Sequence, residues 1–350
     1  LSKKFGLDIS DYSVEVLELG FNKKAKKFAR ILLEPGIIEN GKIINKQELA
    51  EKIKQAVKKA RIRTKKVVFS LPESRVFIHF FEKQGNILEQ SKKIIPLDQD
   101  NIYFDIKENL YVACSKRVID SYVETLKLAG LVPVAAEPES LSLARSLNAK
   151  NCLILDIGAR TANLSIFDQA GRLRLSAAID IAGNRFTQSL SSKMDISLKM
   201  AEKLKKKYGL DQTKKNERVM LILQKELQEL IKEVKEAVSF YQGEIKQIIL
   251  AGGSAKMPKI ADYFFSNVGV KTFIAKSLAS KLLKGKSGLF NVAAGLALRG
   301  VDLSLFDINL MPSRKLTASQ KISLCFLIIF VALSLVFLAW VIYLFVFLPG

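Results

Sequence analysis

An apolar strand ending in an acid, a short turn and an alternating second strand form the strongest pattern in the chain, and the pattern occurs twice. Residues 153–175 read LILDIGARTANLSIFDQAGRLRL, an apolar run that stops at Asp156, turns, and resumes at Asn163-Leu164-Ser165-Ile166. Residues 5–19, FGLDISDYSVEVLEL, place Asp8 in the same pattern 148 residues earlier. Two such hairpins predict a duplicated domain with a ligand held between the halves.

Between and after the hairpins the periodicity alternates between strand and helix. Residues 45–60 set Leu49, Ile53, Ala56, Val57 and Ala60 on one helical side, and residues 66–71 read as a strand closed by Pro72. Residues 75–137 predict an inserted α+β module: a strand VFIHFF, a short helix, strands at 102–106 and 110–114, a helix at 118–128 and an apolar return VPVAA. Pro138 opens the helix ESLSLARSL. Residues 217–245 predict one long amphipathic helix, IILAGGSAKMP a strand and Gly-Gly turn with a helix starting at Pro258, and residues 290–300 a small-residue helix.

Residues 322–348 run 27 positions without a charge, enough to span a bilayer with some tilt. Apolar residues fill every face, unlike a core helix, and Trp340 and Tyr343 lie toward one end, as at a membrane interface. Arg314, Lys315 and Lys321 precede the run, so the positive-inside rule places the N-terminal part in the cytoplasm. Residues 1–10 read as a strand, and no secretory signal is expected there.

A length of 350 residues with 49% apolar positions suits two ordinary lobes and excludes a disordered protein. Cys114, Cys152 and Cys325 have no metal-ligand spacing and read as packing residues. The net charge of +21 is spread along the chain. Its densest cluster, Lys203, Lys205, Lys206 and Lys207, adjoins Tyr208 but lacks interleaved aromatics, so no nucleic-acid partner is expected. Near a bilayer such residues favour anionic lipid by about 1 kcal/mol each.

An acid at a strand end can hold a cation through water, while backbone N–H groups in a small-residue turn receive phosphate oxygens. A Gly-Gly turn lets backbone approach a nucleoside closely. In this order the pieces resemble the actin-like nucleotide-binding superfamily and, within it, the PilM pilus-assembly proteins, with FtsA cell-division proteins as cousins. The stretches DIAGNRFTQSLSSKMDISLKMAEKLKKKYGL and AEPESLSLAR look most like PilM, and the resemblance covers nearly all of residues 5–300.

The resemblance implies an α/β, actin-like fold: a duplicated ribonuclease-H-like, two-lobed ATPase fold with an inserted 1C subdomain, plus the C-terminal transmembrane helix. Subdomain 1A would take residues 1–74 with 138–150 and 290–302, and 1C residues 75–137. Subdomain 2A would take 151–186 with 245–289, and 2B 187–244. ATP and Mg²⁺ are the implied cofactors. Asp8, Ser10 and Ser13 would form the first phosphate loop, and Asp156, Gly158, Arg160, Thr161 and Asn163 the second. Asp8 and Asp156 would hold Mg²⁺ through water. Gly252, Gly253, Ser254 and Lys256 would form the adenosine turn, with Lys232, Lys235 and Ser239 bordering base and ribose.

The chain departs from its relatives at Ser10, where Gly is usual, and at Glu15, where a basic residue often stands. Glu15 is expected on the strand, pointing away from the cleft. Asp156 and Glu137 are the catalytic candidates, with Glu139 beside Glu137, but both glutamates suit a helix cap equally well and weak or absent hydrolysis is expected. His79 reads as a structural or surface residue. Arg160 suits a phosphate contact and a solvated turn equally, and Glu226, Glu229, Glu233 and Glu236 read as a solvated helix face.

Residues 307–312, Asp-Ile-Asn-Leu-Met-Pro, resemble the Ile-Asn-Leu-Leu-Pro peptide that starts PilN proteins ahead of their membrane helix. That likeness implies that Ile308, Asn309 and Leu310 bind between subdomains 1A and 1C, on this molecule or, by self-association, on a neighbour. The layout, with residues 303–321 as cytoplasmic linker, also resembles GspL of type II secretion. The resemblance implies a single-pass, nucleotide-binding scaffold in the cytoplasmic (inner) membrane, part of the assembly platform of a type IV pilus or related type II secretion system, working with PilN/PilO-like proteins and an assembly ATPase. The rivals are an FtsA-like division scaffold and an active actin-fold ATPase or kinase.

Overall fold

In the computed structural model, two five-stranded sheets share one strand order. The structure describes residues 4–20, 24–82, 85–95, 99–214, 216–276, 287–299, 307–312 and 334. The first sheet contains β1 (Phe5–Ile9), β2 (Ser13–Leu19) and β3 (Ala25–Leu32) as an antiparallel meander. A small ribbon, β4 (Ile38–Glu39) and β5 (Lys42–Ile43), leads to α1 (Lys46–Lys59), and β6 (Lys66–Leu71) returns parallel to β1.

A second, three-stranded sheet follows, made of β7 (Val76–Phe80), β8 (Ile102–Lys107) and β9 (Leu110–Ser115), with α2 (Ile87–Ile94) in its connection. The chain re-enters the first lobe through α3 (Lys116–Leu128), β10 (Val132–Pro138) and α4 (Glu139–Leu147). β10 pairs with β6, giving the order β10-β6-β1-β2-β3. The apolar return expected inside the module is thus the outer strand of the main sheet, where it pairs in parallel register with β6.

The second lobe repeats the plan. β11 (Cys152–Ile157), β12 (Ala162–Phe167) and β13 (Leu173–Ile179) form the meander. Then α5 (Gly183–Met194), α6 (Leu198–Tyr208) and α7 (Glu217–Phe240) precede β14 (Gln247–Ala251), α8 (Ile260–Val268) and β15 (Thr272–Ile274). The order β13-β12-β11-β14-β15 matches the first sheet strand for strand, and the parallel central strands are apolar because both their faces are covered.

The last helix of the first lobe, α9 (Asn291–Leu298), lies on β1 and β2. Gly6 permits this, since a side chain there would collide with the backbone of Ala293. Two surface readings change in the packed structure. Glu226 turns inward to pair with Arg185 and Lys193, and Lys205 is buried against Gly183 O and Thr187 Oγ1. Cys114 and Cys152 are free and buried, while Cys325 lies outside the described residues. His79 is exposed on β7 between the rings of Phe77 and Phe81.

Among the described residues no helix is long and apolar enough to cross a membrane. The expected span, 322–348, lies outside them apart from Ser334.

Candidate functional site

The two hairpin turns open onto one cleft of roughly 220 Å³ between the lobes. Ser10, Ser13, Gly158, Arg160, Thr161, Asn163, Gly252 and Gly253 all line it, together with Asp8 and Asp156. The turns are built alike: the N–H of Ser10 donates to Ser13 O, and the N–H of Gly158 to Thr161 O, each at 3.0 Å. A Cβ on Gly158 would lie 2.9 Å from Thr161 O, so that turn needs glycine. Ser10 fits because its backbone avoids positive φ. Its hydroxyl, however, accepts from the Ser13 N–H at 3.2 Å and the Tyr12 N–H at 3.4 Å, donors that a phosphate would otherwise use.

Register carries the asymmetry further. Asp156 stands opposite Asn163, whereas Asp8 stands opposite Glu15. Glu15 was expected to point away from the cleft but lines it, because β2 turns Ser13 and Glu15 to the same face. The guanidinium of Arg30, its neighbour on β3, donates to Glu15 Oε1 at 2.5 Å and to Ser13 Oγ at 3.0 Å.

Six acids line the cleft, Asp8, Asp11, Glu15, Glu73, Glu139 and Asp156, although among the described residues no three of them are grouped closely enough to hold a metal ion directly. Burial pushes the Asp8 carboxyl up to about 6, although Ser70 donates to it at 2.8 Å. Burial, then the charges of Asp8 and Glu73, raise Asp156 to about 7, and burial with Asp8 opposite raises Glu15 to about 8. Glu139 is raised well above the carboxylate range by burial and by the neighbouring acids. A concentration of acids that resist ionisation is one that a divalent cation relieves.

The lobes also touch across the cleft. Arg160 donates to Asp11 Oδ2 and to Ser74 Oγ, each at 3.1 Å, instead of standing in solvent. Ser176 donates to Glu73 Oε1 at 2.7 Å, and Asn163 to Glu139 Oε2 at 3.3 Å.

Other expected site residues lie elsewhere. Lys232 and Lys235 are exposed on α7, whose Ile231 and Val234 face the second-lobe core, and neither lines the cleft; Ser239 is exposed on the same helix. Ser254 ties its turn to the second hairpin turn by donating to Gly158 O at 3.2 Å, and Lys256 stands outside the cleft wall. Gly252 holds φ at +83°, and a side chain there would meet Asp156 and the Ile157 backbone.

Glu137 is not at the cleft either. It is fully buried at the end of β10, where Arg145 donates to it at 2.5 and 3.0 Å and Arg299 also reaches it. Burial opposes its charge, but these guanidinium groups prevail and hold it below the usual range. Two residues on, where strand gives way to helix, Glu139 faces the cleft instead.

The same ion cluster meets residues 307–311. Asp307 approaches Arg145 at 3.4 Å, and Ile308 and Leu310 are completely buried in the first-lobe core. Asn309 Oδ1 accepts from the Ala136 N–H at 3.1 Å, the Asn309 N–H donates to Asp105 Oδ2 at 2.8 Å, and the Leu310 N–H donates to Ala136 O at 2.9 Å. The segment therefore lies between β10 of the main sheet and β8 of the inserted module, on its own chain. Full burial of such a pair of side chains contributes about 1.5–3 kcal/mol each.

Arg30, Glu73, Ser74 and Asn291 complete the cleft wall without having stood out in the sequence. Asn291 had a signal, as the polar opening residue of an otherwise apolar helix.

Two lobes of repeated strand order around an acidic cleft, with a glycine turn on its rim, define an actin-like protein. The type IV pilus assembly protein PilM family matches residues 6–301, and the chain belongs to that family. Among solved structures it resembles a PilM-PilN type IV pilus biogenesis complex at 22% identity and a TM-score of 0.73, covering 86% of this chain and 99% of that one. The ethanolamine utilization protein EutJ from Carboxydothermus hydrogenoformans is similar at 14% identity and 0.61, covering 86% and 90%. MreB 5 of Spiroplasma citri, solved with AMPPNP, is similar at 16% identity and 0.56, covering 84% and 95%.

Proposed function

We propose that this PilM-family protein is a membrane-anchored, nucleotide-responsive scaffold of a pilus assembly platform, with its own residues 307–312 as a PilN-like docking peptide. The observation that carries the reading is the complete burial of Ile308 and Leu310 beside the bonded Asn309. In this reading residues 322–348 cross the inner membrane, the lobes lie on the cytoplasmic side, and the platform partners are PilN/PilO-like proteins and an assembly ATPase. The similarity to a PilM-PilN complex supports that class of partner.

The cleft would take ATP with Mg²⁺, supported by the paired turns, the Gly252 approach and the crowded acids. Asp8 and Asp156 would face the cation through water, Gly158 to Thr161 the phosphates, and Gly252 and Gly253 the nucleoside. When bound, the cation supplies the positive charge that these carboxylates and the phosphates share. Glu139 is engaged by Asn163, and no general base is assigned in this reading, which expects slow hydrolysis at most.

Cleft and groove are joined by one short segment. Ala136 bonds the docked segment, Glu137 holds Arg145 and Arg299, Glu139 lines the cleft, and the Ser140 N–H donates to Glu73 Oε2 at 3.2 Å. A ligand that shifts Glu139 thus shifts the balance of docked and free segment. Amide exchange on the full chain in lipid vesicles tests this: Mg·ATP should change protection at residues 308–311 and at Ala136. Binding of Mg·ATP with no change there would refute the coupling.

A further inference from the structure

The first residue of α9 carries a side chain that the fold leaves unanswered. Asn291 opens the helix NVAAGLAL and is only 3% exposed. Neither its Oδ1 nor its Nδ2 has a hydrogen-bond partner among the described residues, and it lines the cleft. It does not cap the helix either, since Phe290 holds that position. A buried amide with nothing to bond is costly, and an apolar residue such as the neighbouring Val292 would avoid the cost.

Its surroundings specify what would answer it. α9 covers the face of the first sheet that carries Gly6, and Asp8, two residues further along β1, belongs to the same face. Leu17 packs with Phe290 and Ala293, so Glu15, two residues earlier on β2, also faces this way. From the other lobe, Asn163 lines the cleft with a buried Oδ1 that lacks a partner. A ligand that answers these groups would accept from an amide N–H and donate to amide oxygens in a field set by carboxylates. A fully ionised phosphate accepts without donating and is repelled by those acids that are charged. A phosphate carrying a hydrated divalent cation does both, because its oxygens accept and the water molecules on the cation donate.

We propose that Asn291 binds this cation–phosphate group, with Nδ2–H donating to a phosphate oxygen and Oδ1 accepting from a cation-bound water. The assignment rests on the nucleotide reading above, and adds a contact from α9 to those expected from the hairpin turns.

The test uses the full chain in detergent, with binding of ATP and of pyrophosphate measured by calorimetry in Mg²⁺ and in EDTA. Asn291→Ala should weaken Mg·ATP and Mg·pyrophosphate about tenfold, the loss of one or two ligand hydrogen bonds, and change little in EDTA. Asn291→Leu, which keeps the branched shape of Asn but is larger, should lose ligand alike, and Asn291→Ala should not lower the melting temperature of the ligand-free protein. No nucleotide binding by the wild type would overturn both the nucleotide reading and this assignment. Wild-type binding with both variants within twofold would overturn the assignment alone. A loss seen with ATP but absent with pyrophosphate would also overturn it, by moving Asn291 to the nucleoside.

Discussion

Asp8 and Glu15 stand directly opposite each other on β1 and β2, two carboxylates at the position where the second lobe pairs Asp156 with Asn163. Opposed like charges destabilise a sheet. Here burial keeps both carboxyls protonated to higher pH than usual, the Asp8 charge raises Glu15 further, and Arg30 balances what charge remains.

Glu15→Gln makes the first lobe resemble the second. Glu15 has its folded value raised to about 8, so its favourable contribution is complete below its ordinary value of 4.5 and is lost as pH rises through 8. Arg30 is 34% exposed and can turn to water once its partner is neutral. The variant should melt close to wild type at pH 5 and at least about 2 °C higher at pH 9. Equal melting temperatures at both values would contradict the raised carboxyl.

The second pH prediction has the opposite sign. Burial works against the Glu202 charge, but donation from Lys205 and Thr187 prevails and brings it to about 2. Its contribution is present above 4.5 and lost as pH falls through 2. The stability difference between wild type and Glu202→Gln should be constant from pH 5 to 7 and shrink below 4. Denaturant titration across that range measures it.

Replacing Asn309 and Leu310 with Ala should release residues 307–311 from the groove. A buried Leu→Ala change costs about 2–5 kcal/mol in a core, and in a chain segment held at one edge that cost appears as detachment. Amide exchange at Ala136 and Met311 should accelerate while β11 and β14 stay protected. Crosslinking between the segment and the inserted module that persists unchanged would disprove docking through these side chains.

Arg160→Ala removes the ion pair that ties the second turn to Asp11. Arg160 is 30% exposed and Asp11 15%, so the pair contributes only about 0–1 kcal/mol. The melting temperature should barely move, but distances between spin labels placed on the two lobes should broaden. An unchanged distribution would mean that Glu73–Ser176 and Glu139–Asn163 suffice to hold the lobes.

The duplication, the apolar central strands and the paired positions of Asp8 and Asp156 are all written in local order, whereas the Asn309 segment stood out only by its resemblance to a PilN peptide. Alternation, turn residues and helical spacing act over a few residues, so a sequence shows them directly. Tertiary structure decided what those elements face. Glu137 and Glu139 are two residues apart, yet one is buried among arginines and the other lines the cleft, because the strand becomes a helix between them. Arg30 reaches Glu15 through strand register, Arg160 reaches Asp11 across the lobes, and Asn291 meets the acids only because α9 folds back onto β1 and β2. Each of these relations joins segments distant in the chain, where packing alone selects the neighbour.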